Sequence, residues 1–112
     1  MPTSLSEAWN SLQAGQYRQA QQTFRDAVRS GGSEQFGYLG LAASALAMGN
    51  LRDALSFAEN SLEEGRSPEA QLLVAEVHSR LGNRREAEQY LEGYFSLGGE
   101  SAYARALLGE QR

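Results

Sequence analysis

Met48-Gly49-Asn50-Leu51-Arg52-Asp53-Ala54 has two near copies elsewhere in the chain. Ala14-Gly15-Gln16-Tyr17-Arg18-Gln19-Ala20 stands before it, and Leu81-Gly82-Asn83-Arg84-Arg85-Glu86-Ala87 after it. Gly15 to Gly49 and Gly49 to Gly82 are equal to within one position, each about 34 residues. In every copy the Gly is followed by an amide side chain, and an Ala stands five residues after the Gly. One such spacing carries no information. Three at a near-constant period mark a chain built of repeated units.

The breakers recur at the same interval. Ser30-Gly31-Gly32-Ser33, Glu64-Gly65-Arg66-Ser67-Pro68 and Gly98-Gly99-Glu100-Ser101 each fall about 17 residues after a Gly-amide turn. Each unit therefore reads as helix, short turn, helix, longer turn. First helices are predicted near 4–14, 35–48 and 69–81, second helices near 17–30, 51–64 and 84–97, and a last short helix over about 101–110. Ser33, Ser67 and Ser101 stand where N-caps belong, and Pro68 suits a first helical turn. Gly15, Gly49 and Gly82 fit the left-handed residue that closes a helix, where a Cβ would be strained.

Composition agrees with this. Of 112 residues, 16 are Ala, 15 Leu, 12 Glu and 9 Gln, all good helix formers. There is no Ile, and Val and Thr together supply five residues, too few to build a sheet. The 14 acids outnumber the 10 bases, a net charge of −4, which speaks against a nucleic-acid module with a basic face. The absence of Cys excludes disulfides, zinc ribbons and thiol catalysis. The N-terminus shows no basic region followed by an apolar stretch. The longest nearly apolar run, Leu39 to Gly49, falls well short of the roughly 20 residues that span a bilayer as a helix. A cytoplasmic protein without membrane insertion is the expectation.

The units resemble tetratricopeptide repeats, a family of helix-turn-helix units about 34 residues long. Gly15, Tyr17, Ala20, Phe24 and Ala27 stand at that family's turn and second-helix spacing in the first unit. Tyr38, Leu41, Ala42, Gly49, Leu51, Ala54, Ala58 and Leu62 do so in the second. Val74, Ala75, Gly82, Ala87, Leu91 and Tyr94 do so in the third. The resemblance implies an all-α fold, a right-handed superhelical α-solenoid of antiparallel helix pairs. It also implies one domain, with repeats at about 1–33, 34–67 and 68–100 and a capping helix over 101–112. Tyr103, Leu107 and Leu108 are expected on the packed side of that cap, and Leu108-Gly109 resembles the Leu-Gly pair of a further unit. Glu7 and Ser11 depart from the pattern; Leu5, Ala8, Trp9 and Leu12 place the first apolar stripe one residue away. Arg84 replaces an apolar residue after the third turn, and Gly32 and Arg66 stand where Pro is usual.

Chemistry is sparse. His78 is the only His, and Asp26 and Asp53 are the only Asp residues, so neither a nucleophilic triad nor a metal site is expected. The Gly-rich stretch from Gly31 to Gly40 lacks the Gly-Lys-Ser/Thr of a phosphate loop. No catalytic residue, metal or cofactor is expected, which leaves recognition. Stacked repeats curve, and in the family the first helices line a concave groove. By spacing, that groove receives Leu5, Trp9 and Leu12 from unit one and Leu39, Ala43 and Leu46 from unit two. Unit three gives Leu72, Glu76, Ser79 and Arg80. Such a trough suits an apolar or amphipathic peptide or helix of a protein partner, with Trp9 and Arg80 as anchors. It is also compatible with self-association.

Some family members hold carboxylate tails with a clamp of Lys, Asn and Arg. Here the matching places hold Leu5, Trp9, Gly40 and Ala43, and there is no Lys, which excludes that clamp. The expected function is a non-enzymatic interaction module. Two alternatives stand beside it: a small chaperone of a secreted or polymerising subunit, and a regulatory domain cut from a larger protein.

Overall fold

In the computed structural model, which describes residues 5–112, Gly15, Gly49 and Gly82 take φ angles of 83°, 79° and 82°. Each closes a helix in the same way. The Gly N–H donates three residues back, as Gly49 does to the Leu46 carbonyl at 3.0 Å. The N–H of the following amide residue donates five back, as Asn50 does to the Ala45 carbonyl at 2.8 Å. These two bonds satisfy carbonyls that a helix end leaves open. The carbonyl of that amide residue then accepts the first bond of the next helix. Gln16, Asn50 and Asn83 accept from Ala20, Ala54 and Ala87, each at 3.0 Å. One Gly-amide pair thus ends one helix and begins the next. This is the physical content of the repeated motif.

The helices are α1 (Leu5–Gln13), α2 (Tyr17–Ser30), α3 (Glu34–Ala47), α4 (Leu51–Glu64), α5 (Pro68–Leu81), α6 (Arg84–Ser96) and α7 (Ala102–Gln111). No strand occurs among the described residues. Predicted and observed ends agree to within one residue, and residue 4, the predicted start of the first helix, lies outside the described residues. Consecutive helices pack against each other along the chain. The odd-numbered helices also touch one another: α1 meets α3, α3 meets α5, and α5 meets α7. Among the described residues the even-numbered helices do not. The chain is therefore an α-solenoid, tight along its first helices and splayed along its second, with extents of 46 × 25 × 22 Å.

The sequence explains the tightness. Ala20, Ala54 and Ala87 are fully buried, so each second helix approaches its neighbours with nothing beyond a methyl group between the backbones. Phe24 is also fully buried, and its ring lies against Gly40, where any Cβ would overlap it. The core continues as a series of clusters along the axis. Ala45, Leu46, Ala54 and Val77 join the second unit to the third. Ala75, Leu91, Tyr94, Ala104 and Leu107 join the third to α7.

Three local expectations need correction. Ser67 and Ser101 do cap α5 and α7, accepting from the N–H groups of Ala70 at 3.1 Å and Ala104 at 3.0 Å. Ser33 does not cap α3 with its side chain. Its backbone, at φ −134° and ψ 25°, is not extended as the two capping serines are, and Glu34 Oε1 instead accepts from the Gly32 N–H at 3.1 Å. In α7 the packed side is Ala104, Leu107 and Leu108, while Tyr103 is exposed. Gly109 lies inside α7 and is not among the glycines with positive φ, so Leu108-Gly109 closes no helix.

Gly40 and Gly109 should respond oppositely to the same change. Gly40→Ala drives a methyl into the Phe24 ring and should cost about 1–3 kcal/mol. A Cβ at Gly109 meets nothing within 4 Å, so Gly109→Ala should raise stability by about 0.5–1 kcal/mol. Urea unfolding followed by circular dichroism measures both.

Candidate functional site

Subtracting the period superposes the expected groove residues. Leu5, Leu39 and Leu72 stand one period apart. So do Trp9, Ala43 and Glu76, and so do Leu12, Leu46 and Ser79. Because α1, α3 and α5 abut, equivalent positions fall side by side across three helices. Within each helix the spacings of three, four and seven keep these residues on one face.

The first two helices make the apolar part. Leu5, Trp9, Leu12, Leu39 and Ala43 are all half-buried. Trp9 packs edge-on against Phe24, with ring centroids 5.1 Å apart and an interplanar angle of 67°. The indole is thereby anchored on the core while part of it stays open. Leu5 and Leu12 flank it against the same cluster. Leu46 behaves differently. It is only 6 % exposed and packs with Ala45, Ala54 and Val77, so it belongs to the core between α3, α4 and α5. Sequence reasoning missed Phe36, which is 53 % exposed. It precedes Leu39 by three residues and Ala43 by seven, and so extends the same face of α3 by one turn. That spacing is legible in the sequence, but the ring falls beside a breaker cluster, where a helix face is hard to assign.

The third unit is polar and already engaged by α7. Leu72 packs toward the cluster of Ala75, Leu91, Tyr94, Ala104 and Leu107. Gln111 Nε2 donates to Ser79 Oγ at 2.9 Å and to the Leu107 carbonyl at 3.1 Å. Arg80, largely exposed, pairs with Glu76 at 3.4 Å. Tyr103 lies beside that pair. Its phenol is pushed above the ordinary 10.0, first by burial, then by the negative charge of Glu76 and the hydrogen bond between them. Tyr103 and Gln111 thus lie at the α5 end of the expected groove. The sequence carries no signal for this, because both residues sit in the helix that departs from the repeat.

His78 is buried, stacked on Tyr90 with centroids 5.7 Å apart, and its Nδ1 lies 3.2 Å from Asn83 Nδ2. It serves packing. Gly37 and Gly40, the end of the Gly-rich stretch, are helical and lie under Val28 and Phe24. Among the described residues no three His, Asp or Glu side chains converge on a common point that could hold a metal ion. No helix among them is long and apolar enough to cross a membrane.

No family model and no curated protein matches the chain. Solved structures do. The type III secretion chaperone SycD of Yersinia enterocolitica, in complex with a peptide of the translocator YopD, superposes with a TM-score of 0.83. The match is 23% identical and covers 96% of this chain and 88% of SycD. PcrH bound to the chaperone-binding region of PopD matches with a TM-score of 0.76 and 23% identity, over 95% of this chain and 80% of the other. PcrH from Pseudomonas aeruginosa matches with a TM-score of 0.76 and 24% identity, over 96% and 82%. At these identities the likeness establishes the fold, a helical-repeat solenoid of the kind these chaperones share.

Two measurements test the α5 end. Gln111→Ala removes the bond to Ser79 and should lower stability by about 0.5–1.5 kcal/mol, read by thermal unfolding. The raised phenol of Tyr103 means the folded state favours its neutral form. Below pH 10 both states keep the proton and that stability is whole; above it the unfolded chain ionises first, and the stability is lost as pH rises through the folded value. Tyr103→Phe should therefore flatten the alkaline limb of the stability curve.

Proposed function

We propose that the chain is a non-enzymatic peptide-binding module that takes an apolar or amphipathic segment of a protein partner into the groove along α1 and α3. The observation that carries this is one row of half-buried apolar side chains. Leu5, Trp9 and Leu12 continue across α1 and α3 into Leu39 and Ala43, on the side where the odd helices abut. A half-buried row of this kind is held rigid from beneath and still offers apolar area to a ligand. Burying it costs little ordering, which is what makes a preorganised groove bind. Trp9, fixed edge-on by Phe24, has the rigidity and size of an interface anchor. In unit three, Leu72, Glu76, Ser79 and Arg80 form the polar end of the trough, with Arg80 as the second anchor.

A chaperone role is the form of this reading that the comparisons favour. SycD was solved with a peptide of the translocator YopD and PcrH with the chaperone-binding region of PopD, and their fold matches almost the whole of this chain. The client here would be a segment of a secreted or assembling subunit, bound in the cytoplasm before it is passed on. The repeats at about 1–33, 34–67 and 68–100, with the cap at 101–112, act in this reading as one domain.

Trp9 is the only Trp, so its fluorescence reports the groove directly. Titration with amphipathic peptides should shift its emission. Leu39→Glu should weaken peptide binding by about 2 kcal/mol or more while leaving helicity unchanged. Trp9→Ala, followed by calorimetry, should do the same. Arg85→Ala, on exposed α6, should bind as the parent does. Wild-type affinity in both groove variants would overturn the proposal.

A further inference from the structure

The splay of the even helices leaves a second concavity, on the side away from the groove. Between α4 and α6, which do not touch, lies a cleft of about 760 Å³. Its walls include Leu62, Tyr90 and Gly93, with Glu59, Glu63 and Arg66 at the mouth. At its base is Gln71, only 8 % exposed. The cleft has a cause in the repeat. Tyr38 precedes Gln71 by one period, the same interval as Gly49 to Gly82. Where the second unit carries a ring packed on the core, the third carries a carboxamide. On α6 the facing residue is Gly93, where a Cβ would come within 2.7 Å of Gln71 Oε1. Loss of a ring on one wall opens the space, and the missing side chain on the other lets the Gln71 carboxamide lie against α6.

The polar groups in this space lack partners. The Gln71 side chain is 8 % exposed and its carboxamide makes no hydrogen bond within the protein, so its polar atoms open onto the cleft with their bonding capacity unused. Glu59 and Glu63 are one turn apart on the same face of α4, and among the described residues neither lies in an ion pair. Like charges at this spacing repel. The last turn of α4 holds no basic residue, so the negative end of its dipole faces the same place with only Arg66, just past the helix end, beside it. Tyr90 adds an aromatic wall, its ring held in place by His78. Arg66 is the single cation at the cleft, against two carboxylates.

We infer that this cleft receives an arginine side chain of a protein partner, at a site separate from the α1–α3 groove. The guanidinium reaches between Glu59 and Glu63, its plane against Tyr90, and donates to Gln71 Oε1. A planar cation with five donors meets this set of acceptors better than an ammonium does, and it stacks on a ring at low cost.

The test is a titration of the isotope-labelled full chain with acetyl-Gly-Arg-Gly-amide, followed by NMR. The Gln71 side-chain amide and the Gly93 N–H should shift together and saturate. Citrulline in place of Arg keeps the shape and removes the charge, and should weaken binding by about tenfold. The double variant Glu59→Gln with Glu63→Gln, on the exposed face of α4, should do likewise. Gln71→Tyr, which returns to the third unit the ring of the second, should fill the cleft and abolish the shifts. No shift at Gly93 and Gln71 would overturn the inference. So would equal binding of the citrulline peptide, or undiminished binding by the double Glu variant, which decides the matter even if Gln71→Tyr misfolds. Leu39→Glu should leave this titration unchanged, so the cleft and the groove stand or fall independently.

Discussion

The contact of fully buried alanines at the helix crossings is the constraint on which the rest depends. Ala20, Ala54 and Ala87 each follow a Gly-amide turn by the same interval and each carry no exposed area. A larger side chain at any of them would push a second helix away from the first helices on either side. The turn fixes the angle at which the second helix starts, and the alanine fixes how close it comes. With those two quantities repeated, the third helix has only one place to go. Phe24 then fills the space the small residues leave, and Gly40 is the room made for it.

Curvature follows from the same contact. The odd helices meet each other and the even ones do not, so one side of the solenoid is continuous and the other is notched. A continuous side can present a row of equivalent positions from successive units, which is what a long peptide needs. A notched side offers discrete clefts, each as deep as its lining side chains permit. The two surfaces differ because packing is satisfied on one and interrupted on the other. The charges need not be sorted to explain it.

The fold was legible almost to the residue, because its signals are local. A left-handed Gly, a cap and a small residue at a crossing each act over a few positions and recur at a fixed interval. The groove was legible only as a set of faces. Leu39 and Ala43 stand where the period puts them, but the period could not reveal that Leu46, on the same face, is swallowed by the junction with Val77. Burial there depends on a helix of the following unit. Ser33 shows the same limit at a helix start: its side chain caps nothing, and Glu34 instead accepts from the Gly32 N–H, ahead of the helix. The polar closure by Tyr103 and Gln111 lay beyond sequence reasoning, since α7 follows no repeat and its register against α5 is set by tertiary packing alone.

In the peptide-binding reading, that closure gives the proposed groove a direction. At the α1 end the walls are aliphatic and aromatic, anchored on the first unit's core. At the α5 end Ser79 is bonded to Gln111, and Glu76 is held by Arg80 and Tyr103. Polar groups already paired with one another gain little from a new partner, because each new bond replaces an old one. Apolar area that is still wet gains for every ångström covered. A bound segment should therefore be held by its apolar residues near Trp9 and Leu39 and positioned, more than strengthened, by the third unit. In the peptide-binding reading, α7 is then a wall that tells the ligand where to stop.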